Sequence, residues 1–284
     1  MASDEAGDSL IWLMGPAENI APSLPVVAED AARLRELVKL IEEGLRWASE
    51  QMRGDIPTEL AAVAGLARAV QGVRAAAMLC MHGFYTESRV MIRSAYEAAA
   101  LARTLAHDGP TAERWLRKAA VVPDKVSRDY AKAMSPEGDG DVAHREYYKR
   151  ASTMAHPAAV STLPYVFPKT GPAGPQMTPA FDEAECRVVM REVVAEASWI
   201  GYAFRNSFAR REDVPVAWWR RLAELSAELV GGDLADLEQD WDERERRHAQ
   251  MCEQILTDAQ ATELTRAHPN SAEHRYRRSQ EPPN

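Results

Sequence analysis

Two short segments hold the residue types from which a chemical site could be assembled. In Thr86-Glu87-Ser88-Arg89-Val90-Met91-Ile92-Arg93-Ser94-Ala95-Tyr96-Glu97, the residues Arg89, Arg93 and Glu97 recur every four positions. On an α-helix that spacing lines them up along one face. A carboxylate beside guanidinium groups stays ionised and holds them in place. Such a set orients an anionic substrate in one reading. In the plainer reading it is an intrahelical ion pair, common and individually weak. The surrounding helix is alanine-rich and reads as buried, and buried charges need partners.

The second segment is Tyr147-Tyr148-Lys149-Arg150-Ala151-Ser152-Thr153-Met154-Ala155-His156-Pro157. His156 titrates near neutrality and can take or give a proton. Arg150 can neutralise a phosphorane without losing its own proton. Two tyrosines and two cations could meet an unstacked base and its phosphate. Here too a plainer reading stands beside the chemical one, a helix-terminal histidine favoured by the macrodipole next to a kinking proline. The further arginines at 210–211, 220–221 and 244–247 are interleaved with acids or tryptophan and read as solvated helix faces.

The elements that must position these groups are all helical. Leu34, Leu37, Val38, Ile41 and Leu45 mark one stripe of a helix over about Glu29–Met52, stopped by Gly54. Pro57 and Thr58 open a second helix to about His82, with Leu60, Val63, Leu66, Val70 and Val73 in phase and Gly83 ending it. A third, rich in small residues and suited to close central packing, covers about Thr86–His107. A fourth starts at Thr111 and is kinked or broken by Pro123, resuming to about Met134. A fifth covers about Asp141–Ala155, and others about Asp182–Phe208, Val216–Val230 and Leu234–Leu256. Val189, Val193, Ile200, Phe204 and Phe208 are the candidate core of the sixth. Prolines 157, 164, 168, 172, 175 and 179 leave no room for a helix between them. The expected fold is all-α, a single bundle of about seven or eight helices with a proline-rich internal loop. Its parts are an irregular arm over 1–27, a motif-bearing helical core over 28–156 and the loop over 157–180. C-terminal helices over 181–258 complete the bundle, and a disordered tail covers 259–284.

Composition narrows the function. With 46% apolar residues in 284 the chain can bury a sizeable core. A net charge of −9 argues against a non-specific grip on nucleic acid, though not against a local basic site. Arginine in excess of lysine, with abundant alanine, points to a GC-rich bacterial genome. Cys80, Cys186 and Cys252 are odd in number and far apart, which favours reduced thiols in cytoplasm over a disulfide framework. Cys80-Met81-His82 reads as a buried thiol beside a helix-end histidine, not a zinc site. The beginning Met1-Ala2-Ser3-Asp4-Glu5 is acidic where a signal peptide is basic. Charges such as Arg89 and Arg93 interrupt the apolar stretches, so no membrane span is expected. No phosphate loop, dinucleotide fingerprint, HExxH or GxSxG pattern occurs. No cofactor and no metal are expected.

Taken together, Glu87…Arg93…Tyr96-Glu97 and Tyr148…Ser152…His156-Pro157 resemble an uncharacterised bacterial all-helical family with the same two elements, over about residues 60–160. That family is in turn similar to the HEPN superfamily (higher eukaryotes and prokaryotes nucleotide-binding) of helical bundles. Many HEPN proteins resemble metal-independent ribonucleases with an Arg-x(4–6)-His motif at a dimer interface, a spacing that Arg150 and His156 match. The resemblance implies catalytic roles for Arg150 and His156, binding roles for Arg93, Glu97, Tyr148 and Ser152, a homodimer, and RNA at a local site. It implies an RNA-cleaving or RNA-binding effector in bacterial defence or a toxin system. Ala151 stands where that pattern carries a polar residue, and Pro157 with the prolines beyond it replaces the helix that normally follows. The bulk physics favours a non-catalytic interaction or regulatory module whose Arg93, Glu97 and His156 fix helix register.

Overall fold

The computed structural model describes residues 17–51, 57–117, 128, 179–208 and 216–230. The described residues form a 3-10 turn at Ala17–Asn19 and six α-helices, with no strand, so this part is all-α as its sequence predicts. The helices are α1 (Ile20–Gln51), α2 (Pro57–Met81), α3 (Tyr85–Leu105), α4 (Gly109–Leu116), α5 (Glu183–Ser207) and α6 (Val216–Val230). The helices expected near 141–155 and 234–256, the resumption after Pro123, and nearly all of the proline-rich stretch lie outside the described residues.

The α2–α3 hairpin is the densest part of the fold, and its residue types explain why. A Cβ placed on Gly65 would sit 2.8 Å from the Ala102 Cβ, and one on Gly72 would sit 3.0 Å from the Ala95 Cβ. The two backbones therefore touch through glycine and alanine, with Ala61, Ala62, Ala69, Ala76, Ala99 and Ala102 fully buried. Ser88 donates its hydroxyl across the pair to the Ala76 carbonyl at 2.8 Å. The turn between the helices is a glycine-capped helix end. Gly83 has φ +84°, its N–H reaches the Cys80 carbonyl, and the Phe84 N–H reaches that of Leu79. The stripe expected on α2 holds at Leu66, Val70 and Val73, which are buried, and fails at its first member. Leu60 is exposed, while its small neighbours Ala61 and Ala62 face the core.

α1 starts at Ile20, not near Glu29, and runs through Pro22 and Pro25. Pro22 falls in the first turn, where its missing N–H would have had no partner. Pro25 gives up one bond of the ladder, and contacts with other elements hold the turn. Val27 beyond it is 1% exposed. The Asn19 side-chain amide donates to the carbonyls of His82 at 3.0 Å and Pro179 at 3.1 Å, while Ser23 donates to Asn19 and Met81. One end of the bundle is clasped in this way from three distant parts of the chain.

α5 lies along both α1 and α3 and runs in their direction. Tyr85 meets Asp182, Tyr96 meets Trp199, and the His107 Nε2 meets the Asn206 carbonyl. On the other side Asp30 faces Arg191 and Gly44 faces Phe204. α1, α3 and α5 are thus parallel, and α2 runs against them while packing on all three. α6 covers α1 and α5, pinned by the Trp218 indole N–H on the Leu40 carbonyl at 2.7 Å. α4 covers α2 and α3. Asp108 caps it by accepting from the Thr111 N–H at 3.1 Å and from the Thr111 hydroxyl at 2.6 Å. Among the described residues α2 alone has the length and mean hydropathy of a membrane span, which departs from the expectation that charge breaks every apolar stretch. In the bundle 44% of that window is buried.

The close approach of α2 and α3 has a direct test. Gly65→Ala should lower stability by about 1–3 kcal/mol, because the new methyl meets Ala102 and the Ala98 carbonyl. Gly109→Ala, whose Cβ would find only Thr58 at 3.9 Å, should stay within about 0.5 kcal/mol of the parent. Chemical denaturation followed by circular dichroism compares the two, and equal losses would show that the contact does not limit the packing.

Candidate functional site

The polar groups singled out on α3 lie along its seam with α5. The seam opens at Tyr85, 2% exposed, whose hydroxyl is 3.0 Å from both the backbone N–H and the carbonyl of Asp182. Burial pushes the Tyr85 hydroxyl well above its usual pKa. Asp182 caps α5 by accepting from the Glu185 N–H at 3.0 Å.

One turn on, Arg89 is buried, its side chain 8% exposed, and it is held between two carboxylates of α5. Its Nη2 lies 3.2 Å from Glu185 and its Nε 2.8 Å from Glu192. Those glutamates are two helical turns apart, so a guanidinium between them reaches both. Arg93 sits a turn further along α3. It pairs with Glu97 through Nε at 3.2 Å and Nη2 at 3.1 Å, both on one carboxylate oxygen. That pair is partly open, the side chains 20% and 28% exposed. Beyond it the Tyr96 and Trp199 rings pack at 4.6 Å, the Arg103 guanidinium lies 5.8 Å from the Trp199 ring, and Glu196 is fully buried.

Behind the start of the seam are two buried free thiols, Cys80 at the end of α2 and Cys186 in the first turns of α5. The Cys80 sulfur is 3.4 Å from the Cys186 carbonyl. The hydrogen bond from Cys80 lowers the Cys186 thiol below its usual pKa, against the effect of burial, and Ser23 and Tyr85 add to it. The same contact, with burial, pushes Cys80 up.

The structure brings together Arg93 and Glu97 of the expected site. Tyr148, Arg150, Ser152 and His156 lie outside the described residues. Sequence reasoning missed Glu185 and Glu192, which complete the coordination of Arg89. Their seven-residue spacing places them on one face of α5, but nothing local ties that face to α3. Along the seam the carboxylates Glu97, Glu185, Glu192 and Glu196 outnumber the guanidiniums of Arg89, Arg93 and Arg103. Among the described residues no group of three or more histidines, cysteines or acids is placed to hold a metal ion. In comparisons with known proteins, no family model, no curated protein and no solved structure matches this chain.

Truncating either end of the Arg89 bridge separates its parts. Arg89→Ala should cost about 1–3 kcal/mol in urea unfolding, since it removes a buried stem and leaves two acids of the interface without their cation. Glu185→Ala should cost less than about 1 kcal/mol, because Glu185 is more than a third exposed and Glu192 keeps the arginine paired. A larger loss at Glu185 would show that the two acids are not redundant.

Proposed function

We propose that the chain is a non-catalytic helical interaction module of the cytoplasm, in which the charged groups of α3 hold α3 and α5 in register. The observation that carries this reading is Arg89, buried in the helix interface with both Glu185 and Glu192 on its guanidinium. A cation committed to two carboxylates is already neutralised and is a poor receptor for a phosphate. Arg93, bound to Glu97, continues the same pattern. The acid excess along the seam and the net charge of −9 point the same way. A partner, whether a second copy of the chain or another protein, would engage an apolar helix face. Leu24 on α1, Met78 on α2, Val90 on α3 and Val188 on α5 are exposed side chains suited to such contact.

The competing chemistry is a metal-independent, HEPN-like cleavage of RNA. In it His156 would deprotonate a ribose 2′-hydroxyl, Arg150 would stabilise the phosphorane, and Arg93 with Glu97 would orient the site. Two measurements on the full chain separate the readings. In EDTA, RNA should survive incubation with wild type and with His156→Ala alike. In thermal melts, Glu97→Ala and His156→Ala should each lower Tm by about 1–4 °C. Cleavage by wild type that His156→Ala abolishes, at an unchanged Tm, would replace the interaction module with the nuclease.

A further inference from the structure

Between α1, α5 and α6 the surface opens into a groove of about 430 Å3. That volume is in the range of small-molecule sites. Its walls are aromatic, formed by Trp47 of α1, Phe204 of α5 and Trp218 of α6. They are also fixed in place. The Trp218 indole is tethered to the Leu40 carbonyl at 2.7 Å, and its ring packs on Phe204 at 5.0 Å. Phe204 in turn packs on Phe208 at 5.0 Å. Gly44 is what admits the Phe204 ring, since a Cβ there would lie 2.7 Å from two of its carbons. The groove is therefore built before any ligand arrives.

Charge at the rim selects the ligand. On α1 the lining positions are Leu40, Glu43, Gly44 and Trp47, an otherwise apolar stripe with one carboxylate in it. Glu43 makes no ion pair among the described residues, its neighbour Glu42 being the one that binds Arg74, at 2.7 Å. Across the groove, Arg221 is bound to Glu224 at 3.0 Å, so its charge is already balanced within α6. An uncommitted carboxylate in a groove lined by two indoles, with the buried Phe204 ring behind them, is the chemistry that attracts an organic ammonium.

We infer that this groove is a binding site for a hydrophobic organic cation of the quaternary ammonium type, with its charge toward Glu43 and its apolar part against Trp47 and Trp218. The inference concerns a face of the bundle apart from the α3–α5 seam and does not depend on how that seam is used.

The test is a titration of the full chain by calorimetry and tryptophan fluorescence. The probes are benzyltrimethylammonium, choline, and the uncharged isostere of choline in which carbon replaces the quaternary nitrogen. Both cations should bind saturably, benzyltrimethylammonium the more tightly, and the isostere should bind at least about fivefold more weakly than choline. Glu43→Gln should weaken choline binding toward that of its isostere, while Glu42→Gln leaves binding unchanged. Glu43 is exposed, so Glu43→Gln should melt with wild type, which keeps a loss of binding distinct from a loss of fold. Equal binding of choline and its isostere, an unaltered affinity in Glu43→Gln, or no saturable binding of either cation at millimolar concentration would each overturn the assignment.

Discussion

The contact between the backbones of α2 and α3 sets the geometry of everything around it. At Gly65 and Gly72 the helices approach until no additional methyl group fits, and alanines line the rest of the interface. Packing of this kind gains its energy from many short van der Waals contacts, not from large side chains. It also leaves little freedom to slide, because each glycine accepts only the residue opposite it. The bulkier apolar side chains are displaced outward to meet α1 and α5, where Leu37, Ile41, Leu66, Val73, Met190 and Ile200 form the core. With the hairpin fixed, the phase of α3 is fixed too, and Arg89, Arg93 and Tyr96 come to face the seam.

The seam shows how charge is accommodated inside such an interface. Burying a guanidinium is costly unless its donors are met. Arg89 meets them with two acids that each keep about a third of their surface in water, so neither carboxylate is fully desolvated. The gain in stability from such an arrangement is small, and its value lies in excluding other registers, for which the structure offers a specific basis. A slip of α5 by one turn would leave Arg89 with one acid in place of two. Further along, the Tyr96–Trp199 contact makes the same demand with apolar groups.

The limits of sequence reading follow from the distance over which each feature is decided. Local signals placed α2, α3, α5 and α6 within a few residues, because glycine, proline and capping side chains act on their own neighbours. The start of α1 escaped because Pro22 and Pro25 read as breakers. What keeps that turn helical is Asn19 reaching a carbonyl at His82 and another at Pro179, positions far away in the chain. The face of α2 was misjudged at Leu60 for a related reason, since the small residues win the interface only when α3 is there to meet them. In the site, the Arg93–Glu97 pair is legible from its spacing of four. The acids of Arg89 are not, lying 96 and 103 positions away. The aromatic groove draws on three helices, and no window of sequence contains it.

Helix direction has a consequence of its own. In a bundle of alternating helices the peptide dipoles oppose one another in adjacent pairs and largely cancel. Among the described residues, three of the four core helices point the same way and α2 opposes them. The amino ends of α1, α3 and α5 gather at one pole of the molecule, which takes on a partial positive polarity that the side chains do not supply. Glu87, Asp182, Glu183 and Glu185 cluster in the first turns at that pole, as its field favours. The buried sulfur of Cys186 lies under it as well. The described bundle is therefore electrically oriented, with hydrogen-bond-donating backbone amides at the end where its acids collect.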